Sequence, residues 1–287
     1  MVKITDSCFE STGHTSIICD FSPPRSGDPG VVEQAQLDVD FISVAYNPGR
    51  AVRANSAMLA AAIQRSGKET VFTLATRDMN KLAVQSQLLG AQMLGVQNVV
   101  VVQGDPFSER DRALVASVND YQPTGLISAI AQMNQGQDFR DGKLREASDF
   151  CIGAAVDLGR GIEEEAQLAA RKVEAGAQFL ITQPIFDLDH VARFRESYRD
   201  HAGTAATLPI YFGLQILEQD GVLFSSVPDS ARSELEGGRS GPDIALELYQ
   251  KFQEARLNNI YLMPPIKRGG ARNYEAAKEF LRKAVRL

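Results

Sequence analysis

The sequence contains few of the side chains that cross-link a chain or hold a metal. It has three cysteines, Cys8, Cys19 and Cys151, and three histidines, His14, His190 and His201. An odd number of scattered cysteines is typical of reduced thiols in the cytoplasm rather than of a disulfide framework. The histidines show no ligand spacing with one another or with cysteine. We therefore expect a cytoplasmic protein without a metal, in which Cys19 and Cys151 are buried in strands.

Long apolar runs and an excess of basic residues are also missing. No stretch approaches the ~20 apolar residues of a membrane-spanning helix, and the N-terminus lacks the basic-then-apolar layout of a signal peptide. The net charge is −6 and the isoelectric point is about 5.2, whereas a nucleic-acid binder usually has a basic face. We therefore expect neither a membrane nor a nucleic acid among the partners.

The sequence does contain a regular alternation of strand-like and helix-like segments. Apolar runs typical of buried strands occupy residues 17–21, 41–44, 70–74, 98–102, 150–155, 179–181, 209–214 and 260–263. Helical patterns occupy residues 56–64, 80–94, 126–134, 162–175, 191–198, 244–255 and 274–285, with a weaker one at 31–37. Eight such units predict a single (β/α)8 TIM barrel over residues 1–287. The alternative, a doubly wound open sheet, lacks the G-x-G-x-x-G turn that usually follows its first strand.

Two segments show the local signals most clearly. Asn80 precedes an amphipathic helix with Leu82, Leu89 and Met93 on one face, and asparagine is a favoured N-cap. Residues 175–187 contain a helix end at Gly176, a buried strand and then a polar turn, because glycine commonly ends helices in the left-handed conformation. In a parallel barrel, functional side chains lie at the carboxyl ends of the strands, so the polar residue after that strand is a candidate site residue.

Polar residues follow most of the predicted strands. They are Asp20, Tyr46, Asn47, Arg77, Asp78, Gln103, Asp105, Asp157, Gln183 and Gln215. Acids and amides suit the recognition of a nitrogen-rich ring and the delivery of a proton, and a nucleophilic triad is absent from the set. Each has a structural alternative: Asp20 and Asp105 as turn residues, Gln183 as a partner of loop backbone, and Arg77 as the ion-pair partner of Asp78.

Six motifs carry a resemblance to the methylenetetrahydrofolate reductase family. They are CDFSPPR (19–25), TRDMN (76–80), NVVVVQGDP (98–106), FCIGAA (150–155), RKVEAGAQFLITQPIFD (171–187) and PIYFGL (209–214). They fall in the family's order and cover most of the chain. The resemblance implies a (β/α)8 barrel that passes hydride from NAD(P)H through FAD to 5,10-methylenetetrahydrofolate, giving the 5-methyl form in one-carbon and methionine metabolism.

The resemblance also implies roles for single residues. Asp20 takes the position of the acid that protonates the folate, Asp105 lies between flavin and pterin, and Gln183 contacts the folate ring. Lys172 matches a lysine on the phosphate side of the flavin; its alternative is a solvated helix lysine. We further expect substrate contacts from Gln215 and Tyr46, and we expect cofactor contacts from Gln103, Thr73 and Arg77 beside Asp105 and Lys172.

Several positions depart from the family pattern. Asp20 replaces a glutamate, and family flavin contacts appear here as Thr73, Ala45 and Gln103, with a tyrosine position falling near Val156. Either the flavin is held differently, or hydride passes directly from the nicotinamide. The substrate could instead be a related pterin carrier. The chain could also be a non-catalytic folate-binding partner subunit, and it could form a homo-oligomer. Residues 267–272 are a candidate phosphate or glutamate site, and residues 218–241 are a candidate lid.

Overall fold

Eight parallel strands close into a barrel in which β8 pairs with β1. This computed structural model describes residues 2–10, 15–223 and 226–284. The strands are β1 (Ser16–Phe21), β2 (Phe41–Val44), β3 (Glu69–Ala75), β4 (Asn98–Val102), β5 (Cys151–Val156), β6 (Phe179–Pro184), β7 (Ile210–Gln215) and β8 (Asn259–Met263). The predicted TIM barrel is confirmed. No helix in these ranges combines the length and apolar character needed to cross a membrane.

Helices cover the outside of the barrel. They are α1 (Ile4–Glu10), α2 (Ser56–Arg65), α3 (Lys81–Met93), α4 (Glu109–Arg112), α5 (Pro123–Met133), α6 (Ile162–Glu174), α7 (Asp189–Ala202), α8 (Asp229–Glu236), α9 (Gly241–Glu254) and α10 (Tyr274–Ala284). The sequence did not predict α1 or α4. The weak helix predicted at residues 31–37 overlaps a 3-10 helix, Pro29–Ala35. The Asp28 side chain caps the start of that 3-10 helix.

The barrel interior is filled by alternate residues of the strands. Ile18, Phe41, Val71, Val100, Cys151, Phe179, Ile181 and Tyr211 form this inner cluster. Phe179 fills the space beside Gly153, where an added Cβ would lie 2.3 Å from the Phe179 ring. Ile4 of α1 belongs to the same cluster, and its N–H donates to Asn98 Oδ1 at 3.0 Å. Helix α1 therefore closes the amino-terminal end of the barrel, and the open end is the carboxyl-terminal one.

The predicted burial of the cysteines is confirmed for the two in strands. Cys19 and Cys151 are buried free thiols, and burial raises the pKa of both. The Cys8 side chain, His14 and the predicted helix end at residue 285 lie outside what the structure describes. Within the described ranges, no three His, Cys, Asp or Glu side chains are grouped as a metal site.

Helix α3 differs from expectation in the face that it buries. Asn80 caps it as predicted, because its side chain accepts a hydrogen bond from Ala83 N at 2.9 Å. Leu82, Leu89 and Met93 share one face, but that face is exposed to solvent by 61%, 38% and 89%. The helix packs on the barrel through its other apolar row, which consists of Val84, Leu88 and Ala91.

Candidate active site

Asp20 ends an interior-facing row of β1 and is only 5% exposed. It lies two residues after Ile18, so strand alternation points its carboxylate into the barrel. Oδ2 accepts a hydrogen bond from Arg272 Nε at 2.6 Å, and Oδ1 accepts one from the Tyr261 hydroxyl at 3.1 Å. Both oxygens are thus engaged by β8 and the segment after it. Delivery of a proton from Asp20 requires that one of these contacts opens.

Arg272 is as deeply enclosed as its partner. Its side chain is 3% exposed, against 6% for that of Asp20. Burial by itself would lower the pKa of Arg272, but the neighbouring Asp20 carboxylate outweighs that effect and the pKa is raised. A buried guanidinium is stable only when its charge is paired. Residues 267–272 therefore fold back over the barrel mouth and fix one arginine onto the predicted acid.

A second arginine holds the loops around this ion pair. Arg53 donates to the carbonyl oxygens of Pro23 at 2.6 Å, Pro48 at 3.3 Å and Gly269 at 2.5 Å, which joins the loops after β1, β2 and β8. Gly270 has φ +86°, and a Cβ there would lie 2.7 Å from Arg53 Nη2. Burial, and then the nearby charges of Arg272 and Arg25, lowers the pKa of Arg53. Arg25, Arg53 and Arg272 thus lie near one another at this rim, and Asp20 is the counter-charge of Arg272.

Two glutamines line the side of the mouth formed by β6 and β7. Gln183 is partly exposed and lies at a register shift between Ile181 and Pro184. Gln215 is 2% exposed, and its Nε2 donates to Val222 O at 2.8 Å. Its Oε1 is buried and has no hydrogen-bond partner among the residues that the structure describes. A buried acceptor left unpaired costs about 1–3 kcal/mol, so this oxygen is a natural acceptor for a donor on a bound ligand.

The ends of β3 and β4 are joined by Arg77. Nε and Nη2 donate to the Asp78 carboxylate, Nη1 donates to Asp105 O at 2.7 Å, and the guanidinium lies 4.1 Å from the Phe107 ring centre. The predicted pairing of Arg77 with Asp78 is confirmed. Burial, and then Asp78, raises the pKa of Tyr46 to about 12. The Asp105 side chain itself is exposed at the rim.

Gly104 permits this close approach of the two strand ends. It has φ +85°, a conformation that favours glycine, and a Cβ there would lie 3.2 Å from Arg77 Cβ and 3.3 Å from Ala75 Cβ. Gln103 is exposed, whereas Thr73 is partly exposed. Thr73 continues the interior row that begins at Val71. Tyr46, Gln103 and Asp105 thus follow the carboxyl ends of their strands, while Thr73 lies deeper, within β3.

Lys172 lies apart from the mouth. It is on α6, is 6% exposed, and its ammonium group donates to Ala155 O at 2.6 Å. Burial lowers its pKa, while the nearby Glu165 opposes that shift. The alternative of a solvated helix lysine is therefore wrong. The predicted contact with a cofactor phosphate remains a prediction.

A dinucleotide flavin needs a partner for its diphosphate, which is usually met by backbone N–H groups at a helix N-terminus or by cations. The two predicted cations are both buried: each guanidinium nitrogen of Arg77 has a protein partner, and the Lys172 ammonium donates to the barrel backbone. In this arrangement neither predicted cation is free to bind the flavin diphosphate.

Sequence reasoning missed Tyr261 and the partner of Asp20. Tyr261 pairs in register with Ile18, and the alternation in NIYLM places it in the interior row. This alternation, together with the predicted eighth strand, is enough to predict that Tyr261 faces the barrel interior. The Asp20–Arg272 contact joins residues 252 positions apart in sequence, and no local pattern predicts such a contact.

The chain matches a family model described as methylenetetrahydrofolate reductase over residues 6–237. It belongs to the methylenetetrahydrofolate reductase family. A 5,10-methylenetetrahydrofolate reductase of Pectobacterium carotovorum subsp. carotovorum is 23% identical over 206 residues, covering 67% of this chain and 62% of that protein. Methylenetetrahydrofolate reductase 2 of Schizosaccharomyces pombe is 22% identical over 185 residues, covering 64% and 29%. The chain thus spans less than two thirds of the length of these curated relatives.

Two solved structures share the fold. An uncharacterized protein from Clostridium thermocellum that binds two copies of 5-methyl-5,6,7,8-tetrahydrofolic acid superposes with a TM-score of 0.65 at 11% identity, covering 94% of this chain and 95% of that one. A long-chain alkane monooxygenase superposes with a TM-score of 0.57 at 9% identity, covering 96% and 92%. At such identities the likeness shows the barrel fold alone.

Proposed function

We propose that this chain is a cytoplasmic enzyme that reduces 5,10-methylenetetrahydrofolate to 5-methyltetrahydrofolate with NAD(P)H. Membership of the reductase family supports the reaction class. The observation that carries the proposal is the buried Gln215 Oε1, which has no partner within the described part of the chain and lies in the same barrel mouth as the buried Asp20. A tetrahydropterin ring carries several N–H donors, and a buried acceptor without a donor is suited to such a ligand.

The reaction needs one hydride and one proton. Hydride adds to the methylene carbon, the bond from that carbon to N10 breaks, and N10 takes the proton. Asp20 is the proposed proton donor: its carboxylate takes a proton from solvent and passes it to N10. Gln183 and Gln215 orient the pterin. Because Arg272 and Tyr261 engage both Asp20 oxygens, substrate binding has to displace one of them.

The replacement of family flavin contacts at Thr73, Ala45 and Gln103 supports hydride transfer directly from the nicotinamide. The commitment of Arg77 and Lys172 to protein partners does not separate the two routes, because NAD(P)H carries a diphosphate as FAD does. Family membership favours the second candidate, in which FAD, bound by other groups, carries the hydride. The FAD contacts at Thr73, Gln103 and Asp105 remain predictions.

The test is NAD(P)H oxidation by the purified chain with methylenetetrahydrofolate, with and without added FAD, together with its visible absorbance. We expect colourless protein, and oxidation without flavin that yields 5-methyltetrahydrofolate. Activity only with FAD would overturn the direct route and leave the reductase standing. No activity under either condition would overturn the reductase. Calorimetry with 5-methyltetrahydrofolate would then detect a non-catalytic folate binder.

Asp20→Asn tests the proton donor. We expect turnover to fall about a hundredfold or more, the range that general acid catalysis supplies, with folate affinity much less affected. Asp38→Asn, the same chemical change at an exposed residue, is the control and should leave turnover unchanged. Equal turnover of Asp20→Asn and the wild-type chain would remove Asp20 from the acid role.

A further inference from the structure

The barrel helices differ strongly in charge from one side to the other. Helices α6, α7, α9 and α10 each carry at least four charged side chains. Helices α2, α3 and α5 carry two between them, Arg65 and Lys81, both at helix ends. A helix that faces water usually has a charged or polar outer face. The side formed by α2, α3 and α5 is almost free of charge.

The outer face of α3 is apolar as well as uncharged. Leu82 and Met93 are 61% and 89% exposed, with Leu89 between them at 38%. Together with Ser86 they are spaced by four, three and four residues, which is the spacing of side chains at a seam between two helices. The adjacent row contains the small residues Ala83 and Gly90. We call these six residues the α3 face.

Exposed apolar residues extend the α3 face at both flanks. Met58, 68% exposed, lies on α2, which packs beside α3. Residues 114–118, whose Leu114 is 80% exposed, lie beside the start of α3, because Val118 N donates to Arg77 O at 2.8 Å. A helix of this length presents a face about 20 Å long and 10 Å wide. This face alone is smaller than the ~800 Å² that each partner buries in a stable interface, so the interface must include the flanking residues as well.

We propose that a second copy of this chain docks on the α3 face, with the two α3 helices antiparallel across a twofold axis. Two chains that each carry a net charge of −6 repel one another least where both surfaces are neutral. A neutral face offers no charge with which to select a different, oppositely charged partner. Antiparallel helices keep the two copies of Lys81 at opposite ends. With the axis at Ser86, they set Leu89 of one copy against Ala83 of the other, and Leu82 against Gly90. Such a self-complementary patch suits a closed dimer.

Sedimentation of the full chain over a wide range of concentration tests the proposal. The wild-type chain should sediment at twice its 31.3 kDa mass, and Leu89→Glu/Met93→Glu should sediment as a folded monomer. The control Gln167→Glu adds the same side chain at an exposed position on the charged helix α6 and should stay dimeric. A monomeric wild-type chain would overturn the proposal, and so would a folded double variant that remains dimeric.

Cross-linking locates the axis without relying on a disruptive variant. Ser86 lies near the middle of α3, so the two copies of Ser86→Cys should lie close together at the axis. A short bismaleimide should join them into a covalent dimer, while the wild-type chain, treated in the same way, should stay uncoupled. Efficient dimerisation in solution without this cross-link would place the interface elsewhere and overturn the proposal.

Discussion

Removing Arg272 should expose how much the fold depends on the buried ion pair with Asp20. Asp20 is 5% exposed in the wild-type chain, and Arg272→Leu leaves its carboxylate with the hydrogen bond from Tyr261. Loss of one member of a buried pair typically costs about 3–5 kcal/mol, because the other charge is left buried and uncompensated. With a urea dependence of about 3 kcal/mol per molar, the unfolding midpoint should fall by about 1–1.7 M.

A double-mutant cycle separates this coupling from the loss of packing. Asp20→Asn/Arg272→Leu carries neither charge, so it should be clearly more stable than the sum of the two single changes predicts. Unfolding in urea is followed by circular dichroism. Lys278→Met, which breaks the exposed pair with Glu275, is the control and should cost at most ~1 kcal/mol. An Arg272→Leu variant as stable as this control, or strict additivity in the cycle, would refute the buried-pair reasoning.

Three further changes test the other walls of the site. Gln183→Ala should weaken folate binding severalfold with little loss of stability, as measured by calorimetry; unchanged affinity would count against the site. Arg77→Ala removes the donor to Asp105 O and should raise KM for both substrates, while Arg77→Lys should restore little because it cannot bridge Asp78 and Asp105 together; full rescue by lysine would argue for a simple charge effect. The pKa of Tyr46 is raised to about 12, against an ordinary 10, so the unfolded chain loses this proton at a lower pH than the folded chain. The contribution of Tyr46 to stability is therefore present below pH 10 and is lost as the pH rises toward 12. Tyr46→Phe should therefore flatten that part of the stability profile, and an identical profile would contradict the assignment.

The sequence was sufficient to predict the barrel because each strand is buried on both faces. Segments such as NVVVV at β4 contain nothing but strand-forming apolar residues after Asn98, and a continuous apolar run needs no tertiary information to be recognised. The glycines after helices and the Asn80 cap set the boundaries. The location of a polar site at the strand ends followed from the topology alone.

The rest depends on contacts that are distant in sequence. The pairing of Asp20 with Arg272 arises where the segment after β8 folds back, and the burial of Lys172 depends on how α6 lies against Ala155. Helix α3 has apolar residues on two faces, and only packing decides which one meets the barrel. Periodicity alone does not predict that the face with Leu82 and Met93 is the one exposed to solvent.

The most direct test of the central claim is a single anaerobic turnover experiment with isotopically labelled nicotinamide. The flavin-free chain is mixed with methylenetetrahydrofolate and NAD(P)H carrying deuterium at the transferable position. We predict 5-methyltetrahydrofolate with one deuterium in its methyl group, formed at the same rate as the nicotinamide is oxidised. Unlabelled product, or no product without added flavin, would contradict direct hydride transfer to the folate in this barrel.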